Sequence, residues 1–259
     1  MTAARDNILE VHHVTRNFGK FQALSDVSLT VRTGRMCALI GPNGAGKTTF
    51  YNVVSGRYRP SAGKVFFKGK EVSGLPSHRL VSMGLLRSFQ ITNIFPALTV
   101  LENVLVPLLV HHGMSFSCLQ SIRKRRDLAD EAVQILERVG LEGVADHVVS
   151  TLAYGDKRLI EIAIVLARRP SMVLLDEPTA GMNPEETDRM IHLIQDLSEH
   201  SDTTFFITEH DMKVVFSVAE KIFVLNQGTL LAEGTPEEIR NNPDVKRAYL
   251  GGSLDAPGQ

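Results

Sequence analysis

Short apolar runs alternate with amphipathic stretches through most of this chain. MCALIG (36–41) is followed by KTTFYNVVSG (47–56), SMVLLDE (171–177) by PEETDRMIHLIQDL (184–197) and TTFFITE (203–209) by MKVVFSVA (212–219), and KIFVLNQG (221–228) closes the series. Strand followed by helix followed by strand predicts an α/β fold with a parallel sheet. Helix starts are punctuated at Asn183-Pro184-Glu185-Glu186 and Thr235-Pro236-Glu237-Glu238, each with an N-cap, proline at N1 and glutamate at N3.

The first third has another rhythm. ILEVHHV (8–14), VSLTV (27–31) and KVFFKG (64–69) are short strand patterns joined by turns such as Arg32-Thr33-Gly34 and Lys68-Gly69-Lys70, which predict an antiparallel patch beside the parallel core. Residues 91–167 read as helical. Thr99-Val-Leu-Glu102 is a capping box, and SIRKRRDLADEAVQILERVG (121–140) keeps helical spacing until Gly140. Only residues 252–259, SLDAPGQ with its leading Gly252, read as a flexible tail.

Composition narrows the function classes. With 43% hydrophobic residues over 259, the chain supports a real core, and 28 Lys and Arg against 29 Asp and Glu give no global basic field for nucleic acid. Cys37 and Cys118 form neither a zinc spacing nor a disulfide framework, which suggests a reducing compartment. The N-terminus lacks an apolar signal core, and the longest apolar stretch, 100–110, is interrupted by Glu102, Asn103 and Pro107, so neither secretion nor membrane spanning is expected. The run Arg123 to Arg126 reads first as a solvated helix face, and second as a contact for anionic lipid or the surface of a membrane partner. The pairs His12-His13 and His111-His112 lack a ligand spacing and read as surface or cap residues.

Three strand ends carry the chemistry. Gly41-Pro42-Asn43-Gly44-Ala45-Gly46-Lys47-Thr48-Thr49 follows an apolar strand, opens a helix and matches the phosphate-binding loop pattern G-x-x-x-x-G-K-[ST]. Glycines allow backbone N–H groups to face phosphate oxygens, the helix N-terminus adds positive potential, Lys47 suits the β and γ phosphates, and Thr48 suits Mg²⁺. A dinucleotide fingerprint fits less well, since Lys, Thr and Thr stand where a third glycine is needed. Asp176 and Glu177 end a second apolar strand and face different ways: Asp176 toward Mg²⁺ through water, Glu177 toward a water attacking the γ phosphate. His210 ends a third strand, either as a structural histidine or as a donor that senses the γ phosphate.

GPNGAGKTT, the glutamine of RSFQ at Gln90, LAYGDKR (152–158), VLLDEP, AGMN and TEH occur in the order found in ATP-binding cassette ATPases, and the chain resembles that family over essentially its whole length. The resemblance implies a P-loop NTPase (RecA-like) core with an antiparallel β subdomain, 1–90 and 168–251, and an inserted helical subdomain, 91–167. It implies an ATPase using ATP and Mg²⁺, with Phe18 stacking on adenine and Gln90 coupling the metal and γ phosphate to the helical block. A plain core phenylalanine and a solvated strand-end glutamine are the alternatives for those two. It also implies that Ala153, Tyr154 and Gly155 of LAYGDKR complete the ATP site of the opposite subunit in a head-to-tail dimer, homodimeric or with a second, different ATPase.

LAYGDKR departs from the family's commonest LSGGQ. Ala153 brings only its backbone, so Gly155 and the helix end are expected to bind phosphate. An acid at Asp156, roughly 8 Å from a phosphate charge, would cost about 2 kcal/mol at an effective dielectric of ~20. Asp156 is therefore expected to turn toward solvent or toward Lys157 and Arg158. Asn183 stands where the family usually has aspartate.

LAYG with EIA after it, DEPTAGMNPEET, the long connector and the closing AYLG resemble the ATPase subunits of importers for branched-chain and other hydrophobic amino acids. That implies a peripheral protein on the cytoplasmic face of the cell membrane, integral-membrane permease partners, a substrate-binding protein outside, and no nucleic-acid partner. The alternatives are ATPases of lipopolysaccharide export or urea import, then a soluble cassette ATPase on ribosomes or DNA, then a P-loop kinase.

Overall fold

The computed structural model describes residues 7–88, 94–113 and 126–249. Cys118, Arg123 to Arg125 and the tail 252–259 lie outside them. The chain divides into two compact units: Met1–Arg87 with Ser171–Pro178 and Ile194–Gln259, and Ser88–Pro170 with Thr179–Leu193.

The first unit carries both sheets. The larger has six strands: β3 (Met36–Ile40), β6 (Leu85–Arg87), β7 (Met172–Asp176), β8 (Thr204–Thr208), β9 (Lys221–Asn226) and β10 (Thr229–Gly234), in the order β10-β9-β3-β8-β7-β6. Its neighbours run parallel except β10 against β9. Every residue of β3, β7 and β8 is buried, which is why these strands read as unbroken apolar runs and not as alternation. The smaller, antiparallel sheet has the order β2-β1-β4-β5, from β1 (Asn7–Phe18), β2 (Phe21–Arg32), β4 (Ala62–Phe67) and β5 (Lys70–Glu71). Its first two strands are longer than the sequence pattern indicates and meet at a two-residue turn, with Phe18 opposite Phe21 and Gly19 at φ +59°.

The helix Lys47–Val54 packs into the same core. Fully buried Tyr51 donates its hydroxyl to Phe206 O at 2.6 Å, and Phe206 meets both Phe50 and Phe223 edge to face. An apolar body and a satisfied hydroxyl let Tyr51 serve a position where an unpaired phenol would be costly.

The second unit is helical in its described residues: Val100–His111, Arg126–Arg138 and Tyr154–Leu166, with short 3₁₀ turns at Glu142–Val144 and Val149–Thr151. The Thr99 and Glu102 capping box is present in both directions, at 3.1 and 3.0 Å. Asn103, which interrupts the apolar stretch, is completely buried and satisfied: its Nδ2 donates to Phe95 O and Thr99 O, and its Oδ1 accepts from Phe95 N. It ties the preceding loop to the helix. Reciprocal boxes also start the helices Pro184–Glu199, through Asn183 and Glu186, and Pro236–Asn241, through Thr235 and Glu238. Among the described residues, no helix is long and apolar enough to cross a membrane.

Candidate active site

Parallel register brings the strand ends of the first unit together. Asp176 pairs with Thr208 across β7 and β8, so Glu177 and His210, just beyond each, emerge at the same sheet edge as the loop after β3. A cleft of about 320 Å³ opens there, lined by Phe21, Ala23, all of Asn43 to Thr49, Glu177 and His210.

The loop is built to stay open to a ligand's approach. Gly46 caps the helix at φ +103°, and a Cβ there would lie 2.8 Å from Ala23 O. At Gly41 a Cβ would meet Leu225 O at 2.2 Å, so the turn cannot form with a larger residue. Ala45 N–H donates to Pro42 O at 3.1 Å and is internal to the loop. The first intrahelical bond, Phe50 N–H to Gly46 O at 2.8 Å, leaves the amides of Lys47, Thr48 and Thr49 ahead of the helical ladder. Buried Lys47 donates from Nζ to Gly41 O at 2.6 Å and Pro42 O at 3.2 Å. Burial pulls its pKa below the usual lysine value, with Glu177 and Asp176 opposing that shift. A cation with that much desolvation already in place suits an anionic ligand.

The two carboxylates face different partners, though not by strand alternation, since β7 ends at Asp176 and Glu177 leaves the extended conformation. Asp176 is buried, accepting from Thr208 Oγ1 at 2.7 Å and from Arg87 Nη2 at 2.5 Å. Glu177 has φ +50°, an uncommon conformation for a residue with a side chain, and its N–H still donates to Thr208 O at 3.0 Å. That twist sends the carboxylate to His210, with Oε1 2.8 Å from Nε2. Among the described residues no three His, Cys, Asp or Glu converge on a metal position. Mg²⁺ retains waters and takes phosphate oxygens; Thr48 lines the cleft and offers its hydroxyl, whereas Asp176 is buried, has both oxygens engaged and is not among the lining residues.

Two participants escaped sequence reading. Arg87, at the end of β6, bonds Asp176 and also Asn52 Oδ1 at 2.7 Å. Its signal would have been strand adjacency, since β6 and β7 are neighbours although 89 residues separate the pair. Phe21 is the aromatic that lines the cleft, 66% exposed. Phe18 packs edge to face on Tyr58 at 5.3 Å, under the Arg16 guanidinium at 4.6 Å, and is not among the lining residues. Its signal was the hairpin turn, which sets the two phenylalanines opposite each other. Gln90 lies outside the described residues.

In the second unit, Ala153 is the N-cap of the helix Tyr154–Leu166 and supplies no side-chain cap. Tyr154, half exposed, donates its hydroxyl to Ala180 O at 3.2 Å and accepts from Arg158 Nε at 3.1 Å. Gly155 N–H donates to Glu186 Oε1 at 3.2 Å. Asp156 does turn aside, but its partner is Arg189 at 3.5 Å, not Lys157 or Arg158. Lys157 instead donates to Ser150 O, and Arg158 is committed to Glu161 at 2.9 Å.

Comparison with known proteins gives concordant matches. Residues 24–180 match the family model described as ABC transporter, and residues 229–255 match that of the branched-chain amino acid ATP-binding cassette transporter. The chain is 44% identical over 251 residues to the high-affinity branched-chain amino acid transport ATP-binding protein LivG of Salmonella typhimurium, covering 94% of this chain and 98% of LivG. Among solved structures it is similar to the ADP conformation of MJ1267, an ATP-binding cassette of an ABC transporter, with TM-score 0.82, 30% identity, and coverage of 95% and 99%. It is also similar to the dimeric post-hydrolysis state of the cassette MJ0796 bound to ADP and Pi, with TM-score 0.74, 26% identity, and coverage of 88% and 98%.

Proposed function

The chain belongs to the ABC transporter family as an ATP-hydrolysing subunit, and from that premise we propose that it powers uptake of branched-chain or other hydrophobic amino acids through a separate integral-membrane permease. The observation that carries the catalytic reading is one cleft lined by Asn43 to Thr49 of the phosphate-binding loop, Glu177 and His210. The match over residues 229–255 supports the amino-acid class over lipopolysaccharide export or urea import.

ATP enters with its phosphates on the amides of Lys47, Thr48 and Thr49, next to the Lys47 ammonium, and its base near the Phe18 and Phe21 hairpin. Thr48 would hold Mg²⁺ directly, with Gln90 and with Asp176 through water, and the ion would neutralise charge on the phosphates. Glu177 accepts a proton from the water whose oxygen bonds to the γ phosphorus, as the bond to the β–γ bridging oxygen breaks. His210 holds that carboxylate at 2.8 Å, and both line the cleft that would receive the γ phosphate. Ala153, Tyr154 and Gly155 complete the site of a partner ATPase subunit, identical or different. The complex sits on the cytoplasmic membrane face and takes substrate from an external binding protein.

The test is Glu177→Gln. It should bind ATP, lose nearly all turnover, and accumulate as an ATP-dependent dimer by sedimentation. Turnover close to that of the parent chain would overturn the role of Glu177. Capture from membranes should recover a permease, and stimulation of its ATPase activity by a hydrophobic amino acid with its binding protein checks the transported class.

A further inference from the structure

The helix Tyr154–Leu166 begins without a side-chain cap of its own, since alanine is its N-cap. Serine, threonine, aspartate or asparagine normally fills that position. The missing anion arrives from 31 residues downstream: Gly155 N–H donates to Glu186 Oε1 at 3.2 Å. The other oxygen of the same carboxylate accepts from Asn183 N–H at 3.0 Å, and Glu186 N–H donates to Asn183 Oδ1 at 2.9 Å. One side chain therefore caps two helices. Contact is close, for a Cβ on Gly155 would stand 2.6 Å from Glu186 Oε1 and 2.9 Å from its Cγ.

We propose that Glu186 is a resident anion on the phosphate-binding end of this helix, and that it must be displaced from Gly155 before a partner's nucleotide can bind there. The proposal rests on the reading that Gly155 completes a partner's ATP site. An amide donates one proton, and two anions at one helix end repel each other, so carboxylate and phosphate compete for the same donor. Displacement is local. The side-chain torsions of a glutamate carry both oxygens together, so Oε1 leaves Gly155 at the cost of the Oε2 bond to Asn183 N–H, while the Glu186 N–H to Asn183 Oδ1 bond keeps the helix start in place. The surrounding contacts, Tyr154 to Ala180 and Asp156 to Arg189, are independent of that carboxylate and hold the segment while it turns. Glu186 thus sets the ATP concentration at which dimers close, and returns to Gly155 when phosphate leaves.

Glu186→Gln separates charge from structure. Glutamine keeps the length, and its one amide oxygen can still accept from Asn183 N–H in the capping box, but it removes the anion and the acceptor for Gly155 N–H together. The comparison is made in the Glu177→Gln background, on the chain purified with any second ATPase subunit that accompanies it. The ATP concentration giving half-maximal dimer should fall about two- to fivefold, the scale of one charge at a helix end. ATP affinity of the monomer should be unchanged, a pairing that a general structural defect would not produce. Amide exchange across residues 153–157 of the nucleotide-free monomer should quicken in Glu186→Gln, reporting the contact without need of a dimer. An unchanged or raised half-point, or unchanged exchange, overturns the role of Glu186 and leaves the dimer reading standing. Absence of ATP-dependent association in both chains overturns the dimer reading and the proposal with it.

Discussion

Glu177 and His210 form a carboxylate–imidazole pair, Oε1 to Nε2 2.8 Å, across the ends of two neighbouring parallel strands. Both line the cleft with the phosphate-binding loop. The left-handed backbone at Glu177 is what turns its carboxylate out of the strand line to reach that partner. A conformation that costs on the order of 1–3 kcal/mol persists where surrounding structure enforces it, and here the Glu177 N–H to Thr208 O bond does so.

If His210 orients Glu177 and meets the γ phosphate, His210→Ala lowers kcat at least ~100-fold, the low end of what a positioned acid–base group contributes. ATP affinity stays within a few fold, because Lys47 and the loop amides are untouched. Steady-state ATPase assays beside equilibrium nucleotide binding separate the two quantities. A raised KM with kcat intact would assign His210 to binding alone.

Arg87 and Asp176 form a buried ion pair at 2.5 Å, with side chains 9% and 3% exposed. Removing one member strands the other charge, so Arg87→Ala should cost about 3–5 kcal/mol of stability. Adding Asp176→Asn should return much of that loss, because no uncompensated charge remains. Thermal unfolding of the single and double variants measures both. Equal midpoints for Arg87→Ala and the parent chain would show that the pair contributes nothing.

Asp156→Gln should leave ATPase activity within a few fold. Asp156 engages Arg189 at 3.5 Å on a half-exposed rim, where a pair contributes roughly 0–1 kcal/mol. Loss of most activity would give the acid a direct part in the site. Arg189→Ala should behave alike, since it removes the same contact.

Elements whose information is local were legible before any coordinates. The loop at Gly41–Thr49, the capping boxes at Thr99, Asn183 and Thr235, and the apolar strands β3, β7 and β8 follow from spacing and burial. Contacts made by sheet order were not, because Arg87 reaches Asp176 only through the adjacency of β6 and β7. Glu186 shows the boundary within one side chain. Its bond to Asn183 follows from the helix start, whereas its bond to Gly155 needs tertiary structure. Phe18 and Phe21 differ for a similar reason, since a turn brings them opposite each other but packing on Tyr58 and Arg16 decides which lines the cleft.

Cys37 supplies a pH prediction in the alkaline range. Burial pushes its thiol from 9.0 up to about 12, with a lesser downward pull from the charge of Lys221 and a lesser upward push from that of Glu220. The folded chain therefore keeps this proton over an interval in which the unfolded chain releases it. Stability falls as pH rises from about 9 toward about 12, and below 9 this group contributes no slope. Tyr51 and Tyr249 are pushed up by burial as well and steepen the same limb. The measurable quantity is thus the difference between the chain and Cys37→Ala, whose high-pH denaturation curve should be shallower by up to one proton. In a Cys118→Ser background, Cys37 should resist alkylation at pH 8.5 and react at the rate of unfolding, because a buried protonated thiol is a poor nucleophile. Rapid labelling of the folded chain would place the thiol within solvent reach and remove the basis for the slope.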